Sequence, residues 1–309
     1  MKTGIYNAVT VTLNAAIDQT LTIPEFTPGA VNRVKSSRSD PGGKGVNVAS
    51  SLADHGLKVA VTGFLGTDNS ASFDELFKEK NIANYFVRIP GLTRVGVKIA
   101  DPVRNETTDI NFPGLPPSPE DQRMFAALLK VLDADWFILS GSVPPGVDKA
   151  FYKELIVQLK ASGKKVLLDA SGDPLLNAVA AAPAIIKPNV AELEELMGRK
   201  LPEIGDVVGA ARQLVSTGIA LVVVSMGERG ACFVTASEAL LAVPPKIEIT
   251  STTVGAGDAM VAGIVTGQFR GLSLAETARL ATASSLALLT KSGRESVADF
   301  VAQTTISPL

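Results

Sequence analysis

The sequence predicts an α/β protein with a mostly parallel central sheet and helices on both of its faces. Two observations carry that prediction. Strand-like and helix-like runs alternate along most of the 309 residues, which is the pattern of repeated β–α–β crossovers. Apolar residues make up 46% of the chain and charged residues 19%, enough to bury a large core between layers. Right-handed crossovers then place the strand C-termini, and with them any site, along one edge.

The elements follow in order. AVTVTL, residues 8–13, reads as a first strand rich in β-branched residues. KGVNVASSLADHG, 44–56, reads as a helix closed by Gly56. Strand 58–64, helix 71–80, strand 136–141, helix 150–163, strands 165–170 and 184–189, helix 191–198 and strand 221–227 come next, and two C-terminal helices finish the set. Residues 19–38 and 92–112 break this rhythm. The second reads as a hairpin turning near DPVRN, and both are expected to form a small sheet inserted into a single domain as a lid over the site. PGLPPSPE, 113–120, returns the chain to the core and starts a helix.

Charge and composition exclude several classes. With 29 basic and 31 acidic residues, net charge is −2. Without a single-sign run, and with aromatics at 5%, nucleic-acid or anionic-membrane partners are not expected. The lone Cys232 reads as a small core residue on a strand, and His55 as a helix-terminal residue, so a Ser-His-Asp triad has no support. No uninterrupted apolar run reaches the length that crosses a bilayer, so a soluble, cytoplasmic protein is expected.

Four motifs carry chemistry. In STTVGAGDAMVAG, 251–263, glycines precede an apolar helix, and the free N–H groups of its first turn suit an anion. The third glycine of a dinucleotide fingerprint would fall on Met260, so that reading fails. A carboxylate there, Asp258, is ordinary first-turn chemistry, but it can also deprotonate an attacking hydroxyl beside an anion hole, as phosphoryl transfer needs. DPGGKGVNVAS, 40–50, is a Gly-Gly turn opening a helix with Lys44 and Asn47 near its start; Gly45 after the lysine excludes a Walker A loop. In KPNVAEL, 187–193, Asn189 and Glu192 have capping-box spacing, and Glu192 is the rival candidate for placing a hydrated magnesium ion. VVVSMGERG, 222–230, ends a buried strand in Ser225, Gly227 and Gly230, which suits a nucleotide or a plain turn. Asp18 and Arg94, with Lys44, are candidates for bracketing a phosphorylated sugar.

Taken together, PGGKGVNVA, STTVGAGDAMVAG and the Asn-x-x-Glu element of KPNVAEL resemble the signatures of the ribokinase-like, pfkB-type carbohydrate kinases. TLNAAID, GFLGTDN, TRVGVKI, TDINFPG, SGSVPPGV, GRKLPE and VVVSMGERGA extend the likeness over nearly the whole chain. The resemblance implies a three-layer α/β/α ribokinase-like fold with a β-sheet lid, and a magnesium- and ATP-dependent transfer to a sugar phosphate. It implies Asp258 as catalytic base and Gly255, Ala256 and Gly257 as anion hole. Lys187, Asn189, Ser225, Gly227, Gly230 and Thr253 would line the nucleotide site, and Asp18, Gly43, Lys44, Asn47 and Arg94 would hold the sugar phosphate. Members are commonly dimers whose lids meet, and some need potassium. The subgroup most resembled takes fructose 1-phosphate, with tagatose 6-phosphate and fructose 6-phosphate as alternatives.

Overall fold

The computed structural model describes residues 6–247, 255–290 and 296–309. From the N-terminus the elements are β1 (Tyr6–Thr12), β2 (Ala16–Thr22), β3 (Ser36–Gly42), α1 (Lys44–Asp54), β4 (Val59–Gly66), α2 (Ala71–Glu79), β5 (Ala83–Ile89), β6 (Arg94–Asp101) and β7 (Glu106–Asn111). Then follow α3 (Pro119–Val131), β8 (Ala134–Ser140), α4 (Phe151–Ala161), β9 (Lys165–Asp169), α5 (Gly172–Val179), β10 (Ile185–Ile186), α6 (Val190–Met197), α7 (Ile204–Ser216) and β11 (Leu221–Ser225). The chain closes with β12 (Ala231–Val234), β13 (Ala239–Val243), α8 (Ala256–Phe269), α9 (Leu274–Thr290), α10 (Val297–Gln303) and β14 (Thr305–Pro308).

Ten strands form one sheet in the order β14-β13-β12-β11-β10-β9-β8-β1-β4-β5. Strands β5 to β11 of that order run parallel, while β12, β13 and β14 add antiparallel at one edge. The period of two divides each central strand between two cores. Val9 and Val11 of β1 and Phe137 and Leu139 of β8 face a cluster with Phe125 of α3, Tyr152 of α4 and Val207 of α7. Ala8, Trp136 and Ile138 face the other way, toward Val46 of α1, Phe73 of α2 and Val261 of α8. Buried on both faces, these strands read as continuous apolar runs, which is why they were visible in the sequence.

Helix α8 is buried nearly all round. It packs against α9 at such short range that a Cβ on Gly263 would lie 2.5 Å from the Cα of Ala281. The second sheet is separate and has four strands in the order β3-β2-β6-β7.

Some elements differ from the expectation. The strand expected over 184–189 is confined to Ile185–Ile186, because Pro188 has no N–H to donate to a ladder. Its carbonyl still accepts from the Ser225 N–H at 3.0 Å, and an isolated bridge joins Asn189 to Ser225. Strands β5, β13 and β14, helices α5 and α7 and a third C-terminal helix, α10, were not read from the sequence. Cys232 sits fully buried in β12 and His55 caps α1, as read. Among the described residues no helix is long and apolar enough to cross a membrane.

Candidate active site

Strands β1, β8, β9 and β11 end at one edge of the large sheet, and the small sheet stands over that edge. A cleft of about 1210 Å³ lies between them. Its lining includes Gly255, Gly257 and Asp258, then Lys187, Asn189, Glu192 and Ser225, then Asp18, Gly43, Lys44, Asn47 and Arg94. Residues drawn from motifs up to 240 positions apart, Asp18 to Asp258, therefore meet in one cavity. Three residues named with them lie elsewhere. Ala256 starts α8 but does not line the cleft, and Gly227 and Gly230 shape the turn after β11 beside it. A Cβ on Gly230 would lie 1.9 Å from the Ala242 carbonyl oxygen, so this glycine is required by the approach of β13. Thr253 lies outside the described residues.

Asp258 occupies the first turn of α8, after Gly255 in the left-handed conformation at φ 84°. The first N–H groups of a helix have no intrahelical partner, and Gly255 and Gly257 of this helix start both line the cleft. The carboxylate is only 6% exposed and accepts a hydrogen bond from Asn47 Nδ2 at 2.8 Å. Burial, then the negative charge of Asp169, push its pKa up to about 6; Lys44, Asn47 and Lys187 oppose that shift. Asp258 is thus ionised at neutral pH yet basic enough to hold a proton transiently.

Asp169, at the end of β9, was not singled out from the sequence. It is 1% exposed, and its Oδ1 lies 3.2 Å from Lys44 Nζ and 3.3 Å from Lys187 Nζ. Burial alone would raise its pKa, but the two ammonium groups outweigh burial and hold it below the usual carboxylate range. The same contact, with Asp169 as the main cause, pushes the Lys44 pKa up. Its Oδ2 is buried with no hydrogen-bond partner among the described residues. The chain thus fixes two lysines, one from α1 and one from the end of β10, on a single carboxylate beneath the cleft. The Cβ of an alanine at 257 would meet Lys187 Nζ at 3.4 Å, so Gly257 keeps the space above that ammonium open.

Asn189 and Glu192 form the capping box of α6, with Glu192 Oε2 accepting from the Asn189 N–H at 2.9 Å and Asn189 Oδ1 accepting from the Glu192 N–H at 2.8 Å. Both readings of Glu192 are compatible, because one oxygen caps the helix while the residue lines the cleft. Among the described residues no group of three His, Cys, Asp or Glu is placed to hold a metal ion. A magnesium ion carried by phosphates needs only one or two carboxylates and waters, and Glu192 beside the cleft fits that demand.

On the lid, Arg94 donates long hydrogen bonds to the Asn14 carbonyl at 3.3–3.4 Å and to the Phe112 carbonyl at 3.3 Å. Burial lowers its pKa. Asp18 is paired at 2.8 Å with Lys98 of β6, a residue not singled out from the sequence. The signal for Lys98 was present: two lining cations, Arg94 and Lys98, four apart on an alternating strand, share a face.

The chain is similar over most of its length to known carbohydrate kinases. Residues 9–299 match the profile described as pfkB family carbohydrate kinase. The 1-phosphofructokinase of Rhodobacter capsulatus is 52% identical over 287 residues, covering 92% of this chain and 90% of that protein. Phosphofructokinase-2 from Escherichia coli, solved with substrates and products, superposes with a TM-score of 0.89 at 28% identity, covering 96% of this chain and 98% of that one. The same enzyme solved with potassium superposes at 0.87 and 26% identity, with 96% and 98% covered.

Proposed function

The chain belongs to the pfkB family of carbohydrate kinases, and on that premise we propose that it transfers the γ-phosphoryl group of ATP to the 6-hydroxyl of D-fructose 1-phosphate, giving ADP and D-fructose 1,6-bisphosphate. The observation that carries this is Asp258. It is a buried carboxylate with a raised pKa, set in the first turn of a helix whose N-terminus opens into a cleft floored by paired lysines.

In this reading Asp258 accepts the proton of the 6-hydroxyl while that oxygen bonds to the γ-phosphorus and the bond to the bridging oxygen of ADP breaks. The free N–H groups of the α8 start, with Gly255 and Gly257, face the equatorial oxygens. Lys187 and Lys44, held in place by Asp169, supply positive charge from below. A bound magnesium ion would neutralise charge between the phosphates, and Glu192 would hold one of its waters. Asn47 fixes the Asp258 carboxylate, and positioning outweighs base strength because the transition state is loose. Asn189, Ser225, Gly227, Gly230 and Thr253 would border the nucleotide; Asp18, Gly43 and Arg94 the sugar phosphate.

The lid also supports a homodimer. Its cleft-facing side is polar, while Val95, Val97 and Ile110 alternate onto the other face, and Ile110 is exposed. Sedimentation of the wild type against Ile110→Asp tests this: a dimer that the variant converts to monomer supports it, and a monomeric wild type refutes it. Activity with and without potassium at fixed ionic strength tests whether the potassium seen with the E. coli enzyme has a counterpart here.

The substrate is tested by ADP release with fructose 1-phosphate, fructose 6-phosphate and tagatose 6-phosphate. Fructose 1-phosphate is expected to give the highest kcat/KM; if either 6-phosphate exceeds it, the reading is wrong.

A further inference from the structure

Building on the fructose 1-phosphate reading, we propose that Lys98 and Asp18 form one recognition unit, in which Lys98 holds the acceptor's phosphate and Asp18 the hydroxyl on the adjacent carbon. The unit makes the enzyme choose the 1-phosphate.

The lid sheet is built around this pair. β2 and β6 run parallel with Asp18 opposite Gly96, so Lys98, two residues on, projects from the same face. Glycines flank Asp18 on both neighbouring strands. A Cβ on Gly42 would lie 2.5 Å from Asp18 Oδ2, and one on Gly96 would lie 3.1 Å from Asp18 Oδ1. The carboxylate therefore lies against backbone at Gly42 and Gly96, with Asp40, itself paired to Arg38, opposite it on β3. The side chains are 20% and 13% exposed, and both residues line the cleft. A half-buried ion pair adds little to stability, so its placement on the cleft face calls for another role.

The other lysines that line the cleft each have a carboxylate elsewhere, Lys149 pairing with Asp173, and Lys98 is the one whose partner stands on the lid. Lys44 and Lys187 share Asp169, and Arg94 points donors at two backbone carbonyls. An ammonium group carries three donors. Lys98 gives one to Asp18, which leaves two for a phosphate. Asp109 lies opposite Lys98 on β7 and also lines the cleft, but the ion pair Lys98 makes is with Asp18.

Sugar chemistry makes the pair selective. In the furanose ring of fructose 1-phosphate, the carbon next to the phosphorylated one is C2, which bears a hydroxyl. In a 6-phosphate bound end for end, the neighbouring carbon is C5, whose oxygen is in the ring and has no hydrogen. An ionised carboxylate only accepts hydrogen bonds. Asp18, held 2.8 Å from Lys98, can thus take the C2 hydroxyl of the 1-phosphate but meets a lone pair in the 6-phosphate.

The test is steady-state kinetics at saturating ATP with fructose 1-phosphate, fructose 6-phosphate and 2,5-anhydro-D-mannitol 1-phosphate, which lacks the C2 hydroxyl. Wild type is expected to use the anhydro sugar at least about tenfold less well than fructose 1-phosphate. Lys98→Met is expected to lower kcat/KM for fructose 1-phosphate about 100-fold, mainly through its KM, with the KM for ATP unchanged. Asp18→Ala, which removes the acceptor for the C2 hydroxyl, should bring the two fructose phosphates to within about threefold of each other. Equal wild-type use of the anhydro sugar and fructose 1-phosphate would overturn the proposal, and that comparison needs no variant. An Asp18→Ala enzyme that keeps the wild-type preference, or a Lys98→Met enzyme with the wild-type KM for fructose 1-phosphate, would overturn it alone; a wild type preferring fructose 6-phosphate would overturn both this and the functional reading.

Discussion

The two sheets put charge on the cleft in opposite ways. At the edge of the large sheet Asp169 is 1% exposed, is shared by two lysines and lies close enough to Asp258 to shift its pKa. On the lid, Asp18 and Lys98 are half-buried, and Arg38 and Asp40 of β3 pair with side chains 64% and 42% exposed. Buried pairs are rigid and strongly coupled, whereas exposed pairs are screened and contribute little. The difference fits the proposed division, with chemistry at the edge of the large sheet, where position is fixed by the core, and recognition on the lid, where a pair can exchange partners with a ligand.

The largest expected effect is at Asp258. Asp258→Asn should lower kcat by about 10³-fold while ATP affinity, measured by titration calorimetry, is retained. Near-normal turnover would contradict its role. The same variant should be more stable than wild type at neutral pH. The folded pKa of Asp258, about 6, is raised above its ordinary value, so its contribution to stability is full below the unfolded pKa and is lost as pH rises through about 6. The thermal midpoint gain of Asp258→Asn should therefore appear above pH 6 and fade in acid.

Asp169→Asn follows. It leaves Lys187, buried with 5% exposure, without its carboxylate, and should cost about 3 kcal/mol in denaturant unfolding. In wild type, kcat/KM should fall as pH drops through about 6, where Asp258 takes up its proton. Removing the Asp169 charge lowers the Asp258 pKa, so the acid limb of the variant should move to lower pH. A phosphorylated acceptor titrates near the same pH. The displacement between variant and wild type is therefore the informative quantity; an unmoved limb would show that the two carboxylates are not coupled.

Gly257→Ala comes next. The backbone tolerates alanine there, and the new Cβ would make ordinary contact with Lys187 Nζ at 3.4 Å. It occupies the space proposed for the transferring group, so kcat should fall about tenfold with unchanged stability. Smallest is Arg38→Ala on the lid, which should stay within about 0.5 kcal/mol of wild type. A larger loss there would erase the contrast between the two sheets.

Much of the site was legible because its signals are local. Gly255, Gly257 and Asp258 fall within four residues, and Lys44 and Asn47 sit in the first turn of one helix, so chemistry and helix start are read together. The central strands were legible because burial on both faces makes them apolar throughout. At the antiparallel edge, β13 and β14 are only 5 and 4 residues long, too short for periodicity to separate them from loops. Asp169 stands in an ordinary strand pattern with no neighbour in sequence to mark it, and Lys98 is marked only by its four-residue spacing from Arg94 on one face of β6.

The sequence by itself determined the α/β class, the alternation of elements and the helix N-terminus that carries Asp258, because these follow from nearest-neighbour chemistry and hydrophobic period. Only the tertiary structure decided that Asp169 holds both lysines and that Lys98 faces Asp18. Those contacts depend on strand order and register, which bring together side chains as far apart as Lys44 and Asp169 in the chain, at 3.2 Å. Electrostatic coupling depends on separation in space and on burial, and neither is written in the local sequence.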